Sequence, residues 1–210
     1  MTGGLSSALT RRIAGKPVAL EVLAFMPKPA RNRGAVKPRL RLDRVAVGLV
    51  DRLRAALVRV VPDDRTVVVT ITAPIWQAAK TAAAMEEQIR LGLRRRSAGR
   101  STIRIHGNKI QIWILKGGTG LTSKLVGFVH NPDRDPAILI ELTRALLAAS
   151  RPDRRAGRAA RARWLVIENH AIRLPIESYR NVCGQLRLGV HFEQILVTLP
   201  GGGAEKLRCR

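Results

Sequence analysis

The sequence predicts an α/β fold, with α+β as the alternative, in which a single mixed β-sheet is flanked by helices. Segments with apolar side chains at every second position alternate with segments whose apolar side chains recur every three or four residues. The predicted order is β-α-β-α-β-β-β-α-β-α-β, and helices placed between strands are typical of this class. An apolar fraction of 46% over 210 residues is enough to build a core. Since residues 164–210 alone are marginal for a separate core, we expect a single domain over residues 1–210.

The first half of the chain supplies two strands and two helices. Residues 18–25 alternate apolar side chains around Glu21, and residues 66–72 read TVVVTIT, so both segments are predicted strands. A first amphipathic helix is predicted from the apolar spacing of Leu42, Ala46, Leu49, Leu53, Ala56 and Val60. A second helix is predicted from the same kind of spacing at Ala78, Ala82, Met85, Ile89 and Leu93.

A β-hairpin is predicted over residues 101–116. Two alternating runs are separated by Gly107 and Asn108, and a two-residue connection of this kind is typical of a tight hairpin turn. That turn places His106 opposite Lys109 and directs the isoleucines of both strands toward the core. The opposite face then carries Thr102, Arg104, His106, Lys109, Gln111 and Trp113.

The second half continues with three strands and two helices. The glycine-rich segment 116–123 is interpreted as a turn between strands, because Leu121 stands where a phosphate-binding loop needs a lysine. Asp135 is a plausible N-cap with Pro136 at the first helical position. The predicted elements are a strand over 124–130, a helix over 136–149, a strand over 164–168, a helix over 175–188 and a strand over 192–199.

Most of the positive charge is concentrated in three segments. The chain has 38 Lys and Arg against 15 Asp and Glu, a formal net charge of +23. Residues 28–44, 90–104 and 151–163, which we call the basic segments, hold +17 of that charge in 45 residues. They also show the least apolar periodicity, so we expect basic loops on an otherwise ordinary fold.

Nucleic acid is the partner that this charge pattern favours. Clustered arginines repel one another, and a polyanion offsets the repulsion while releasing its own condensed counterions. Two basic segments each follow a helix and precede a strand, so parallel strands in one sheet would bring both segments to the same edge as a clamp. The hairpin face would add phosphate contacts beside Trp113, unless that side chain is covered by a helix.

The expected contacts are mainly with the phosphate backbone, since seven aromatic residues are few for a row of stacked bases. The predicted nucleic-acid-binding residues are Arg94, Arg95, Arg96, Arg100, Arg104, Lys109, Trp113, Arg154, Arg155, Arg158, Arg161, Arg31, Arg33, Lys37 and Arg39. Protein partners in a larger nucleoprotein assembly fit the same pattern. No catalytic residue, cofactor or metal is predicted for this function.

Two alternative functions remain open on the sequence. One is a magnesium-dependent nuclease using Asp133, Asp135 and Glu168, because carboxylates near strand ends can hold the metal that such chemistry needs. The predicted strands between residues 101 and 130 contain no acidic residue, which argues against it. The other is a protein-interaction module whose basic segments bind an acidic partner.

Cysteine content and hydropathy favour an intracellular, reducing compartment such as the cytoplasm. Cys183 and Cys209 are the two cysteines, and no cysteine or histidine pair has the spacing of a zinc site. We expect Cys183 to be a buried thiol. The longest uncharged run, residues 66–79, is shorter than a membrane helix, so no membrane partner is expected.

Overall fold

The computed structural model describes residues 6–13, 16–25, 44–94, 99–117, 123–130, 136–151, 162–169, 174–199 and 202–208. The α/β class is confirmed, with four helices and nine strands in these residues. The helices are α1 (Arg44–Leu57), α2 (Ala78–Arg94), α3 (Ala137–Ala149) and α4 (Ile176–Leu186). The strands are β1 (Ser6–Ile13), β2 (Lys16–Phe25), β3 (Arg65–Thr72), β4 (Gly99–Ile105), β5 (Asn108–Lys116), β6 (Leu125–His130), β7 (Ala162–Asn169), β8 (Gln194–Thr198) and β9 (Ala204–Leu207).

The strands form two sheets, whereas the sequence predicted one. A five-stranded sheet has the order β1-β2-β7-β8-β9, and a four-stranded sheet has the order β4-β5-β3-β6. Apolar alternation predicts that a segment is a strand but carries no information about its partner. Strand β2 pairs with β7 from the far end of the chain, which local patterns cannot indicate. Strands β1 and β9 were not predicted and lie at the two edges of the larger sheet.

The chain divides into two compact units, residues 1–37 with 141–210 and residues 38–140. Helix α3 spans the division. The prediction of a single domain over residues 1–210 stays a prediction. Within the described residues, no helix combines the length and the apolar character that crossing a membrane requires.

The unit formed by both chain ends contains the five-stranded sheet. Strands β2, β7 and β8 run parallel, and β1 and β9 pair antiparallel at the edges. Helix α4 connects β7 to β8 and buries Tyr179 and Cys183. The Tyr179 ring packs edge-on against Phe25, and its hydroxyl donates a hydrogen bond to Asn169 Oδ1 at 2.8 Å. Cys183 is buried as the sequence predicted.

The central unit contains the four-stranded sheet with α1 and α2. Both helices contribute to one apolar cluster with β3 and β5, because these elements bury aliphatic side chains on their facing sides. Gly127 of β6 allows α1 to approach closely, since a Cβ there would lie 2.3 Å from Val50 Cγ2. The cluster consists of Leu49, Val50, Leu53, Leu57, Val61, Val67, Val69, Ile71, Ala82, Met85, Ile89, Ile110, Ile112 and Leu125.

Candidate nucleic-acid interface

The β4–β5 hairpin distributes its side chains between two faces as the sequence predicted. Ile110 and Ile112 belong to the apolar cluster, and Ile103 and Ile105 pack against it. Side chains at the intervening positions project to the opposite face. There, Thr102, Arg104 and Lys109 are exposed, Trp113 is partly buried and Gln111 is buried.

The register of the hairpin differs from the prediction by two residues. Lys109 pairs with Arg104, not with His106, and Asn108 pairs with Ile105. The turn is therefore His106-Gly107, with positive φ values of 47° and 82°. Positive φ at both central residues is typical of a type I′ turn. A shift of two residues keeps Thr102, Arg104, Lys109, Gln111 and Trp113 on their predicted face. The prediction was wrong for His106, which lies in the turn and not on that face.

Asn108 lies outside the turn, and its side chain forms hydrogen bonds with the backbone of Trp76. It is 1% exposed, and its Oδ1 accepts a hydrogen bond from the backbone N–H of Trp76 at 2.8 Å. Its Nδ2 donates to the carbonyls of Trp76 and Ile105 at 2.8 and 3.0 Å. These contacts fix the hairpin to the loop that precedes α2.

Two cations face each other directly across the ladder. Arg104 and Lys109 are cross-strand partners, and both are exposed. Within the described residues, no carboxylate lies at ion-pair distance from either side chain. Like charges directly opposite each other destabilise a strand pair. The hairpin, which contains no Asp or Glu, therefore concentrates uncompensated positive charge.

The excess of basic over acidic residues extends into the surrounding sequence. Residues 88–132 contain nine Lys and Arg and no Asp or Glu. Arg100, two positions before Thr102 on the same face of β4, places its guanidinium 5.0 Å from the centre of the Trp113 ring. Such a cation–π contact orients the arginine without neutralising it.

The Trp113 side chain is less exposed than its predicted contact with nucleic acid would require. Its Nε1 is buried, and so are Gln111 Oε1 and the Thr70 hydroxyl directly across from Gln111. None of these three atoms has a hydrogen-bond partner among the described residues. The exposed part of this face is therefore its outer strip, carried by Arg100, Arg104 and Lys109.

The other predicted cations are only partly described. Arg94 ends α2 and is exposed. Arg95, Arg96, Arg31, Arg33, Lys37, Arg39, Arg154, Arg155, Arg158 and Arg161 lie outside the described residues. The premise of the clamp is wrong, because β4 and β7, the strands that follow the two basic segments, belong to different sheets.

Arg163, the last basic residue of the third basic segment, is paired with a carboxylate of the same unit. Its Nε donates a hydrogen bond to Glu21 Oε1 at 3.1 Å, and its guanidinium lies 4.7 Å from the centre of the Phe192 ring. The Glu21 side chain is 5% exposed. Part of the charge counted in that segment is therefore paired inside the five-stranded unit.

Trp76 is a surface feature that the sequence analysis missed. It is 59% exposed, while the other six aromatic residues are buried or partly buried. Its indole lies beside the hairpin turn, since a Cβ on Gly107 would contact Trp76 Cδ1 at 3.9 Å. A single tryptophan in a loop has no periodicity, so only the three-dimensional structure reveals its exposure.

The described part of the chain contains no cluster of metal ligands that would support the nuclease alternative. No three His, Cys, Asp or Glu side chains lie together there in an arrangement that could hold a metal ion. Glu168 lies in β7, and Asp133 and Asp135 are outside the described residues.

Comparisons of the chain with models of protein families, with curated proteins and with solved structures give no match.

Proposed function

We propose that this protein binds nucleic acid, RNA or DNA, mainly through the phosphate backbone, either alone or within a larger nucleoprotein assembly. The observation that carries the proposal is the exposed cross-strand pair of Arg104 and Lys109. An anionic oxygen between these side chains would offset their mutual repulsion, which acts in the unbound protein. Phosphate backbones present such anions at regular intervals.

The arrangement of the cations supports phosphate contact more than base recognition. Arg100 and Arg104 lie four residues apart on one face of a strand, about 13 Å along its axis. Lys109 adds a third cation on the neighbouring strand. Side chains spaced along a ribbon can follow a backbone without reading sequence. The predicted cations that lie outside the described residues stay part of the proposal as further phosphate contacts.

We also propose that the protein resides in a reducing compartment such as the cytoplasm. It is supported by the burial of Cys183 as a thiol inside the five-stranded unit.

Binding of a generic duplex at low and moderate salt tests this proposal. We expect tight binding at about 50 mM salt and strong weakening by about 200 mM, because displaced counterions drive the association. The purified protein should also carry nucleic acid, seen as a fall in the ratio of absorbance at 260 to 280 nm after a high-salt wash. Absence of binding at low salt would refute the proposal.

Two outcomes would replace it with another function. Cleavage of nucleic acid that needs magnesium and is lost in Asp135→Ala would establish the nuclease alternative. Binding to polyglutamate as tight as binding to nucleic acid would instead favour a module for acidic proteins.

A further inference from the structure

The backbone of Trp76 is fixed on both sides while its side chain is exposed. Asn108 bonds both the N–H and the carbonyl of Trp76, and the Thr81 hydroxyl donates to the same carbonyl at 2.9 Å. Asn108 and Thr81 are both buried. The indole is thus presented to solvent from a rigid attachment point, which lowers the conformational entropy lost when a ligand contacts it.

The edge of the indole that faces the hairpin turn lies beside Gly107, which has no side chain. Gly107 has a φ of 82°, and a Cβ built there would only reach ordinary van der Waals distance from Trp76 Cδ1. Neighbouring His106 is exposed. The indole therefore lies beside the backbone of the turn, and Trp76 as a whole residue is 59% exposed.

The indole and the Arg104–Lys109 pair belong to the same compact unit and are connected through Asn108. Asn108 bonds the Ile105 carbonyl as well as Trp76. Arg104 directly precedes Ile105, and Lys109 directly follows Asn108. A single buried amide thus connects an exposed aromatic surface to two uncompensated cations.

We propose that Trp76 stacks against an unpaired base, so that this end of the hairpin binds single-stranded segments of nucleic acid. The inference rests on the proposed function, since Arg104 and Lys109 would hold the phosphates of the same strand. Bases of a duplex are already stacked on one another and leave little face for an indole. Unpaired bases stack on aromatic side chains whatever their sequence.

The test compares binding of a mixed-sequence single strand of about twelve nucleotides, as RNA and as DNA, with binding of its duplex. We expect Trp76→Ala to weaken single-strand binding about 5- to 150-fold, the range of one base–aromatic stack. Duplex affinity should change less than 3-fold, because phosphate contacts remain. Trp76→Phe should keep most of the single-strand affinity because it retains an aromatic face.

Val58→Ala is the matched control, since Val58 is also an exposed apolar residue of the central unit. It should leave both affinities unchanged. Tryptophan fluorescence gives a second measurement: single strands should quench the wild-type emission, and the quenching should be largely lost in Trp76→Phe.

The outcomes separate the inference from the proposed function. Salt-sensitive binding that is equal in wild type and Trp76→Ala, for single strands and duplex alike, would overturn stacking and leave phosphate binding standing. No binding of any probe at low salt would overturn both.

Discussion

The side chain of Asn108 bonds both backbone polar groups of Trp76, which lies 32 residues earlier in the chain. This contact connects the turn of the β4–β5 hairpin to the start of α2. It also explains why the turn is formed by His106 and Gly107, because an asparagine in the turn itself would point its amide elsewhere. This buried side chain therefore helps to position the candidate interface, together with the pairing of β5 with β3.

Replacing Asn108 by alanine should destabilise the protein. The backbone N–H of Trp76 would lose its partner in a partly buried position, at a cost of about 1–3 kcal/mol. Urea unfolding should show a lower midpoint with an unchanged m-value. Asn181→Ala is the control, since it removes one hydrogen bond between side chains on the partly exposed side of α4. Equal stabilities of the two variants would contradict the role given to Asn108.

The contact between Gly127 and α1 predicts a second stability effect. A Cβ at position 127 would overlap the Val50 side chain, so Gly127→Ala should destabilise the protein by about 1–3 kcal/mol. Adding Val50→Ala should recover part of that loss, because it removes both overlapping methyl groups. Additive losses in the double variant, measured by urea unfolding, would argue that the two residues are not in contact.

The sequence predicted the individual elements well and their partners poorly. The faces of the hairpin follow from alternation, which is local, and they were predicted correctly. The register depends on Asn108 bonding Trp76, and the division into two sheets depends on β2 pairing with β7. Both are long-range contacts without a local pattern. Charge counting likewise could not separate Arg163, which is paired with Glu21, from exposed cations such as Arg104.

The Glu21–Arg163 pair should contribute more to the free energy of unfolding than a surface ion pair does. Glu21→Leu would leave the partly buried guanidinium without its carboxylate, and we expect a loss of about 3–5 kcal/mol. The double variant Glu21→Leu, Arg163→Met should be less destabilised, because it removes the uncompensated charge. Asp51→Ala, which breaks the exposed Asp51–Arg54 pair, should cost about 0–1 kcal/mol. Similar losses in Glu21→Leu and Asp51→Ala, measured by denaturant unfolding, would contradict this ranking.

His191 should make stability depend on pH in the acidic range. Burial lowers the pKa of this imidazole, and the nearby Arg163 guanidinium lowers it further. The unfolded chain takes up its proton near pH 6.5, where the folded protein still resists protonation. The unfolded state therefore binds more protons in this range, so stability falls as the pH drops below about 6.5.

Urea midpoints at about pH 7.5 and pH 5.5 measure this effect. The midpoint of the wild type should fall more between the two pH values than the midpoint of His191→Gln, which cannot take up the proton. An identical fall in both proteins would show that His191 does not contribute.

The most direct test of the account is the salt dependence of duplex binding by the double variant Arg104→Ala, Lys109→Ala. The control is Arg52→Ala, Arg59→Ala, which removes the same charge from exposed positions of α1 and the turn after it. Each lost phosphate contact should make the plot of log affinity against log salt less steep by about 1. We predict a change of about 2 for the hairpin variant and almost none for the control. Equal slopes in the two variants would contradict the proposal that the hairpin cations hold phosphate.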